Sequence, residues 1–226
     1  ILTANPFLPM SFRALLQPKS EGASFVRDIL LILLIVAGIG LVLFGVSGTW
    51  PALVAVESGS MEPNLPTYSL VFVVDENRFG GWMTQEEAKA SGSSKIFNEY
   101  GDVIVYQPNG MTGVTPIIHR AIAEITKEES AAIGFSGDAA HAGVITKGDN
   151  NVTNPYPDQF GSFPGYGISR MEPVKEEWIV GKAVFAIPLI GWVPLHLIES
   201  ILIAAVIIVC IEVVSRVLAK RKSRKR

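Results

Sequence analysis

A run of 18 residues without a charge or a proline, Ile29 to Val46, limits the possible folds of this chain more than any other feature. A helix of that length crosses most of a hydrocarbon core about 30 Å thick. The apolar core of a cleavable signal peptide is usually shorter, about 7–15 residues, and ends at small residues. We therefore predict an uncleaved transmembrane helix over residues 29–50, with Trp50 as an anchor at the membrane interface.

A second apolar stretch, residues 189–214, is rich in Ile, Leu and Val but contains His196, Glu199 and Glu212. A charge in the middle of a bilayer costs about 2.5–3.5 kcal/mol on insertion scales. A helix over residues 194–218 places these polar groups near its two ends, so we predict a second transmembrane helix there. The alternative is a helix that is buried in the protein or lies on the membrane surface.

The basic residues predict how these helices are oriented. Six of the seven residues 220–226 are basic, and three basic residues precede the first helix. Because basic flanks stay on the cytoplasmic side, residues 1–28 and the basic tail 219–226 are predicted to be cytoplasmic. Residues 51–188 then form an extracytoplasmic domain of a two-span protein of the cell membrane.

The net charge follows the same division. Residues 51–185 carry 17 Asp and Glu against 9 Lys and Arg, a net charge of −8, whereas the rest of the chain carries +6. A basic tail can bind nucleic acid, but beside a transmembrane helix it more often contacts anionic lipid. We therefore expect the lipid bilayer, and no nucleic acid, as a partner of the tail.

Between the two apolar runs, short apolar segments are bounded by Gly, Pro, Asn and Asp, a pattern typical of β-strands. Thr84 begins a capping-box pattern that predicts a helix start, within an insertion at residues 78–100. Residues 151–167 are rich in Asn, Pro and Gly and are predicted to form a loop. The fold class is predicted to be mainly β, a β domain flanked by N- and C-terminal transmembrane helices. The six predicted strands are residues 52–57, 69–75, 102–107, 117–125, 143–147 and 178–188.

Metal and cofactor chemistry is not expected. The three histidines, His119, His141 and His196, lack the close ligand spacing of zinc sites. The single cysteine, Cys210, falls inside the second apolar run, where a thiolate is disfavoured. We therefore predict no metal site, no cofactor and no intrachain disulfide.

A serine, a histidine and two aspartates follow one another along the predicted β domain. Ser60 lies in the turn sequence Ser58–Pro63, His119 interrupts an apolar strand, and Asp149 and Asp158 flank a turn. A serine hydroxyl is a weak nucleophile without a base in hydrogen-bond reach, and a histidine base works best when a carboxylate orients it. Singly, each residue is more typical of a turn or a core. Together they predict a hydrolytic site in which one aspartate orients the histidine and the other braces the structure.

Four segments, in this order, resemble the ordered boxes of signal peptidase I. They are Ser58–Pro63, Gly101–Tyr106, His119–Arg120 and Thr146–Asn151. A histidine rather than a lysine before Arg120 is similar to the endoplasmic-reticulum-type and archaeal branch, peptidase family S26B. The resemblance covers roughly residues 29–190. It implies a membrane-anchored serine endopeptidase that removes signal peptides from exported proteins.

The resemblance also implies roles for individual residues. Ser60 would be the nucleophile, with its backbone N–H in the oxyanion hole and Ser58 as a second donor, and His119 would be the general base. In the family, the second aspartate usually follows the Gly-Asp-Asn sequence more closely than Asp158 follows Asp149. We therefore predict Asp158 as the acid of the triad after a short insertion and Asp149 as its support, with the reverse assignment left open.

For substrates, the resemblance implies the signal peptides of secreted preproteins, with small residues of the A-x-A type at the cleavage site. The apolar strands Leu53–Val56 and Val71–Val74 are candidates for pairing with an extended substrate by β-augmentation. The protein translocation channel is a further candidate partner.

Two other interpretations are open at this point. The first is a non-catalytic, membrane-tethered β module for partner binding or assembly, in which Ser60, His119 and Asp158 are turn and core residues. The second is an intramembrane protein in which His196 and Glu199 mark a transport path, although two helices do not easily enclose one. The spatial arrangement of the serine, the histidine and a carboxylate distinguishes these interpretations.

Overall fold

The computed structural model describes residues 21–223, with side chains described for residues 24–216. Most of the predicted N-terminal segment 1–28, and the side chains of the basic tail 219–226, lie outside the described residues. The chain divides into one unit that ends at Val46 and a second unit that begins at Ser47 and contains the sheet.

Two helical stretches, Ser24–Ser47 and Leu197–Arg216, are long and apolar enough to cross a membrane by their length and composition. The first belongs to helix α1, Glu21–Ser47. Apolar side chains cover this helix on every side, and Leu34 and Leu41 are 68% and 72% exposed. A single helix with no polar face is stable only in apolar surroundings.

Six strands form one antiparallel sheet in the second unit. Their spatial order is β1-β2-β6-β3-β4-β5, and every neighbouring pair is antiparallel. The last strand of the chain therefore joins the β1-β2 pair to the other three strands. The strands are β1 (Leu53–Ala55), β2 (Leu70–Val74), β3 (Val103–Tyr106), β4 (Ile117–Ile125), β5 (Gly143–Lys147) and β6 (Ile179–Ile187).

All six predicted strands are confirmed, with differences of two residues at most at their ends. The mainly β fold class, with an apolar helix near each end of the chain, is confirmed as well. The pattern was reliable because each strand is a short apolar run that stops at Gly, Pro, Asn or Asp, and such runs are too short for a buried helix.

The centre of the sheet is buried on both faces. All four residues of β3 are fully buried, although successive strand side chains point to opposite faces. Val103 and Val105 pack in one apolar cluster, which residues 61–65 help to close, and the other two residues pack in a second cluster with residues 168–174. Chain segments outside the sheet cover both sides of β3. This agrees with its sequence, which is a continuous apolar run.

The helix start predicted at Thr84 is confirmed. Thr84 is the N-cap of helix α2, Gln85–Ser91, and both hydrogen bonds of the capping box are present. A second capping box, at Thr126, begins helix α3, Lys127–Ala132. The sequence analysis did not identify α3, although Thr126 and Glu129 have the same spacing as the capping box that marked Thr84.

The C-terminal apolar stretch begins with a break. A short helix α4, Trp192–Leu195, is followed at once by helix α5, Leu197–Ser223. His196 lies at the break and stacks on Trp192, with ring centroids 4.8 Å apart. The long helix therefore starts three residues later than the predicted span, which began at residue 194.

Replacement of Gly181 by alanine is expected to destabilise the sheet. A Cβ at Gly181, in β6, would overlap the main-chain oxygen of Val74 in β2. Forcing two paired strands apart typically costs about 1–3 kcal/mol. Urea unfolding of the full chain in detergent, followed by tryptophan fluorescence, measures this loss. Gly165→Ala is the matched control, since no atom lies within 4 Å of its Cβ position, and equal midpoints for the two variants would contradict the close contact.

Candidate active site

Strand β4 carries two buried polar side chains in neighbouring positions. His119 and Arg120 are only 3% and 1% exposed, and they point to opposite faces because successive strand residues alternate. Opposite them in β3 lie Ile104 and Val103, which belong to the two different apolar clusters. Each polar side chain therefore needs a partner on its own face of the sheet.

Asp158 lies against His119. Its Oδ2 is 2.7 Å from His119 Nδ1, and the aspartate is 2% exposed. Asp158 begins a 3₁₀ turn, Asp158–Phe160, that ends the loop after β5. The hydrogen bond at Nδ1 orients the ring and leaves Nε2 as the nitrogen that can accept a proton. A histidine that serves as a general base needs this arrangement.

Asp149 lies against Arg120 on the opposite face. Arg120 Nε and Nη2 donate to its two oxygens at 2.8 and 2.6 Å, a bidentate pair. The same guanidinium donates to main-chain carbonyls within residues 96–101, at the end of the insertion before β3. Asp149 therefore braces the insertion through Arg120, and the carboxylate beside His119 is that of Asp158.

The segment after β5 holds the turn that contains Ser60. The Asn150 N–H donates to Ser60 O at 2.9 Å, and Asn150 Nδ2 donates to Gly59 O at 2.8 Å. A Cβ at Gly148 would lie 2.6 Å from Ser60 O, so only a glycine allows this approach. The Gly-Asp-Asn sequence thus positions the backbone of Ser60.

The Ser60 hydroxyl is half-exposed and lies 3.2 Å from Ser58 Oγ. Among the described residues, the Ser58 hydroxyl is the side-chain partner of Ser60 Oγ, and no hydrogen bond joins Ser60 Oγ to His119. Ser60 and His119 nevertheless line the same cleft. Hydrogen bonds between a nucleophile and its base often form only when substrate binds.

The cleft beside Ser60 and His119 has a volume of about 290 Å³ and a mostly apolar lining. Strand β5 pairs with β4 only from Arg120 onward, so the start of β4 has no strand partner on that side among the described strands. Strand β1 is the end strand of the sheet. The cleft thus lies between two strand edges. Its other lining residues are Val54, Ala55, Val56, Glu57, Ser58, Thr115, Pro116, Ile117, Ile118, Asn154, Phe163 and Tyr166.

The predicted pairing of a substrate with Val71–Val74 is wrong. This segment of β2 pairs with β1 on one side and with β6 on the other, so its main-chain groups are already used. The other candidate, Leu53–Val56, keeps a free edge because β1 ends the sheet. Apolar composition did not distinguish an inner strand from an edge strand.

A second histidine–carboxylate pair was not predicted. His141 Nε2 lies 3.1 Å from Glu172 Oε2, and His141 lines a separate, larger cleft of about 530 Å³. The residues that line this cleft include no Ser, Thr or Cys, so His141 has no nucleophile beside it there. Within the part of the chain that the structure describes, no group of three or more His, Cys, Asp or Glu side chains is arranged to hold a metal ion.

Three polar residues of the site were not identified from the sequence: Asn150, Tyr106 and Thr146. Tyr106 and Thr146 are fully buried and donate to Asp158 Oδ2. Both lie in segments that resemble signal peptidase motifs, Gly101–Tyr106 and Thr146–Asn151. A hydroxyl is common on a half-buried strand, so the sequence analysis assigned a role to neither residue. Asn150 had a signal, because an asparagine in a turn commonly binds neighbouring main-chain groups.

No protein-family profile matches the chain. The chain is similar to curated proteins named Signal peptidase complex catalytic subunit SEC11. The protein of Lachancea thermotolerans is 27% identical over 155 residues, which cover 69% of this chain and 71% of that protein. The protein of Zygosaccharomyces rouxii is 26% identical over 148 residues, which cover 66% of this chain and 66% of that protein. The protein of Leptosphaeria maculans is 25% identical over 155 residues, which cover 69% of this chain and 68% of that protein. The similarity to endoplasmic-reticulum-type signal peptidase, inferred from four motifs, is confirmed.

Replacement of Arg120 by methionine is expected to destabilise the domain strongly. The change leaves the Asp149 carboxylate buried without its cation, and breaking a buried ion pair in this way costs about 3–5 kcal/mol. Urea unfolding in detergent measures the loss. Lys95→Met is the control, because Lys95 forms an exposed ion pair with Glu99 at 3.8 Å, worth less than about 1 kcal/mol. A loss as small in Arg120→Met as in the control would contradict the bracing role.

Proposed function

We propose that this protein is a membrane-bound serine endopeptidase that cleaves signal peptides from exported preproteins by Ser/His/Asp acyl transfer. The observation that carries the proposal is the buried 2.7 Å hydrogen bond between His119 and Asp158, in the wall of a cleft that also contains Ser60. The similarity to signal peptidase catalytic subunits supports the same activity. A non-catalytic β module has no need for a buried imidazole–carboxylate pair beside an accessible serine.

In the first step, Ser60 Oγ attacks the carbonyl carbon of the scissile peptide bond while His119 Nε2 takes the hydroxyl proton. The Asp158 carboxylate stabilises the resulting imidazolium, because the Nδ1–H already donates to its Oδ2. The oxyanion is bound by the Ser60 N–H and by the Ser58 hydroxyl, which lies 3.2 Å from Ser60 Oγ. Loss of one such donor typically costs about 2.7–4 kcal/mol of transition-state stabilisation.

In the second step, His119 gives its proton to the leaving amine, and the peptide bond breaks to yield an acyl-enzyme and a free amine. Water then attacks the ester carbonyl, and His119 takes a proton from it. This proton passes to Ser60 Oγ as the ester bond breaks and the carboxylic acid product leaves. Asp158 stays ionised throughout, because it orients the imidazole and does not accept the proton itself.

The form of the cleft supports a substrate with small side chains in an extended conformation. Its volume of about 290 Å³ lies at the lower end of ligand pockets, which usually measure about 300–1,000 Å³. An extended chain could pair with the edge of β1 and with the free edge at the start of β4. Such a site fits the A-x-A residues before the cleavage point of a signal peptide.

We propose further that residues 29–50 and 194–218 cross the cell membrane, with residues 1–28 and 219–226 in the cytoplasm and residues 51–188 outside. The two apolar helical stretches support membrane association. The basic flanks and the acidic middle segment support the orientation. The protein translocation channel is the proposed partner that delivers the preprotein, since signal peptides become accessible to an extracytoplasmic site as they leave it.

Ser60→Ala is expected to abolish cleavage of a reporter preprotein, because acyl transfer then lacks its nucleophile. The expected loss in rate is about 10⁴-fold or more. Gel analysis of a preprotein incubated with the full chain in lipid vesicles measures it. Ser136→Ala, at an exposed serine outside the cleft, should cleave at the normal rate. Substantial residual cleavage by the Ser60 variant would rule out the proposal.

Asp158→Asn and Asp149→Asn are expected to fail in different ways. The first removes the carboxylate that orients His119, so kcat should fall by about 10⁴-fold with little loss of stability. The second leaves the buried Arg120 without its counter-ion, so the free energy of unfolding should fall by about 3 kcal/mol or more. Peptide cleavage and urea unfolding of both variants separate the two effects. The opposite pattern would exchange the two aspartates.

A further inference from the structure

Asp158 accepts hydrogen bonds from more than His119. Its Oδ2 lies 2.7 Å from His119 Nδ1, 2.9 Å from the Tyr106 hydroxyl and 2.7 Å from Thr146 Oγ1. Tyr106 and Thr146 have no exposed surface at all. A buried carboxylate is strongly unfavourable without hydrogen-bond donors, so both hydroxyls stabilise Asp158 in its buried position.

Tyr106 approaches Asp158 from strand β3. It pairs with Ile117 in β4, two residues before His119, and therefore lies on the same face of the sheet as the imidazole. Burial, and next the negative charge of Asp158, raise the pKa of Tyr106 well above its ordinary value of 10.0. The phenol consequently stays protonated and remains a donor over the whole range in which an endopeptidase works.

Thr146 approaches Asp158 from strand β5, and Gln159 fixes its orientation. The Thr146 N–H donates to Gln159 Oε1 at 3.0 Å, while Gln159 Nε2 donates to Glu172 O at 3.2 Å and to Thr146 Oγ1 at 3.4 Å. Thr146 Oγ1 lies 2.7 Å from Asp158 Oδ2 and 3.2 Å from the Tyr106 hydroxyl, and the shorter contact, to the charged acceptor, takes its proton. The two hydroxyls therefore reach one carboxylate oxygen from two different strands.

We propose that Tyr106 and Thr146 are positioning residues that hold Asp158 in one ionised orientation and thereby set the pH range in which His119 acts as a base. The inference rests on the proposed peptidase function and assigns to it two residues that do not touch the substrate. Their effect is electrostatic as well as geometric, because both hydroxyls compete with the imidazole for the negative charge on Oδ2.

The sign of the effect follows from this competition. When one hydroxyl is removed, more negative charge on Oδ2 is left to stabilise the imidazolium of His119. The protonated ring should then be favoured over the neutral ring, since hydrogen bonding to the carboxylate no longer offsets its attraction for a proton. Activity needs the neutral imidazole. On acidification, the variants should therefore lose activity at a higher pH than the wild type.

Other charged and titratable groups near the pair stay the same in this comparison. Glu57 and Ser60 line the cleft together with Tyr166, and burial and then the charge of Glu57 raise the pKa of Tyr166. Lys182 in β6 pairs with Ile104, the residue opposite His119, and so lies on the same face; it is unchanged in these variants. Arg120 and Asp149 lie on the opposite face and form an ion pair. A shift on removal of one hydroxyl is thus due to Asp158 and His119.

The test is the pH dependence of kcat/KM for a soluble peptide with an A-x-A cleavage site, measured with the full chain in detergent. Tyr106→Phe and Thr146→Val should each move the acid limb up by about half a pH unit. Each should lower kcat about tenfold without raising KM, because neither side chain binds substrate. Thr146→Ser keeps the hydroxyl and Tyr100→Phe removes a phenol elsewhere, so both should behave like the wild type.

Replacement of Tyr106 by 3,5-difluorotyrosine tests the inference in the opposite direction. The fluorinated phenol is a stronger donor of nearly the same size, so the acid limb should move to lower pH. This variant decides the question if the phenylalanine variant does not fold. An acid limb that stays in place in the folded hydroxyl variants, or that moves as far in Thr146→Ser as in Thr146→Val, would overturn the inference.

Ser60→Ala in the same assay distinguishes a failure of the peptidase function from a failure of the positioning role. If it cleaves the peptide, the proposed peptidase function itself fails. If it does not cleave, and the acid limb stays in place in the Tyr106 and Thr146 variants, only the positioning role fails.

Discussion

The alternation of side chains along strand β4 determines how the whole site is organised. His119 and Arg120 are adjacent, so the strand sends an imidazole to one face and a guanidinium to the other. Both are buried, and a buried polar group without a partner is strongly unfavourable. Asp158 and Asp149 meet this requirement, one on each face. A shift of one residue in the register of β4 would exchange the faces and break both pairs.

One segment, residues 148–158, supplies the partners of both buried side chains and also contacts the Ser60 turn. It begins at the end of β5 with the glycine that lets the Ser60 turn approach, and it continues with the asparagine that binds that turn. It supplies Asp149 to the arginine face and, nine residues later, Asp158 to the histidine face. The loop therefore connects the proposed nucleophile, the proposed base and the arginine brace to one another, which gives the Gly-Asp-Asn sequence a structural role beside Ser60.

Sequence patterns predicted most of the elements that have a local signal, although the capping box at Thr126 was missed. Six apolar runs with Gly, Pro, Asn or Asp at their ends became the six strands, and the capping box at Thr84 became a helix start. They failed where the outcome depends on distant neighbours. Val71–Val74 and Leu53–Val56 are equally apolar, but only the first is enclosed between two strands. Tyr106 and Thr146 resemble ordinary strand residues until Asp158 is placed between them.

The amino-acid sequence by itself determined the mainly β class, the two apolar helices and the residue types of a Ser/His/Asp centre, because periodicity, charge and turn chemistry act over a few neighbouring residues. Only the tertiary structure decided which aspartate meets His119. The two carboxylates are nine residues apart in one loop, and no local rule distinguishes them. The choice was made by the pairing of β4 with β3 and β5, which fixes the face that each side chain occupies.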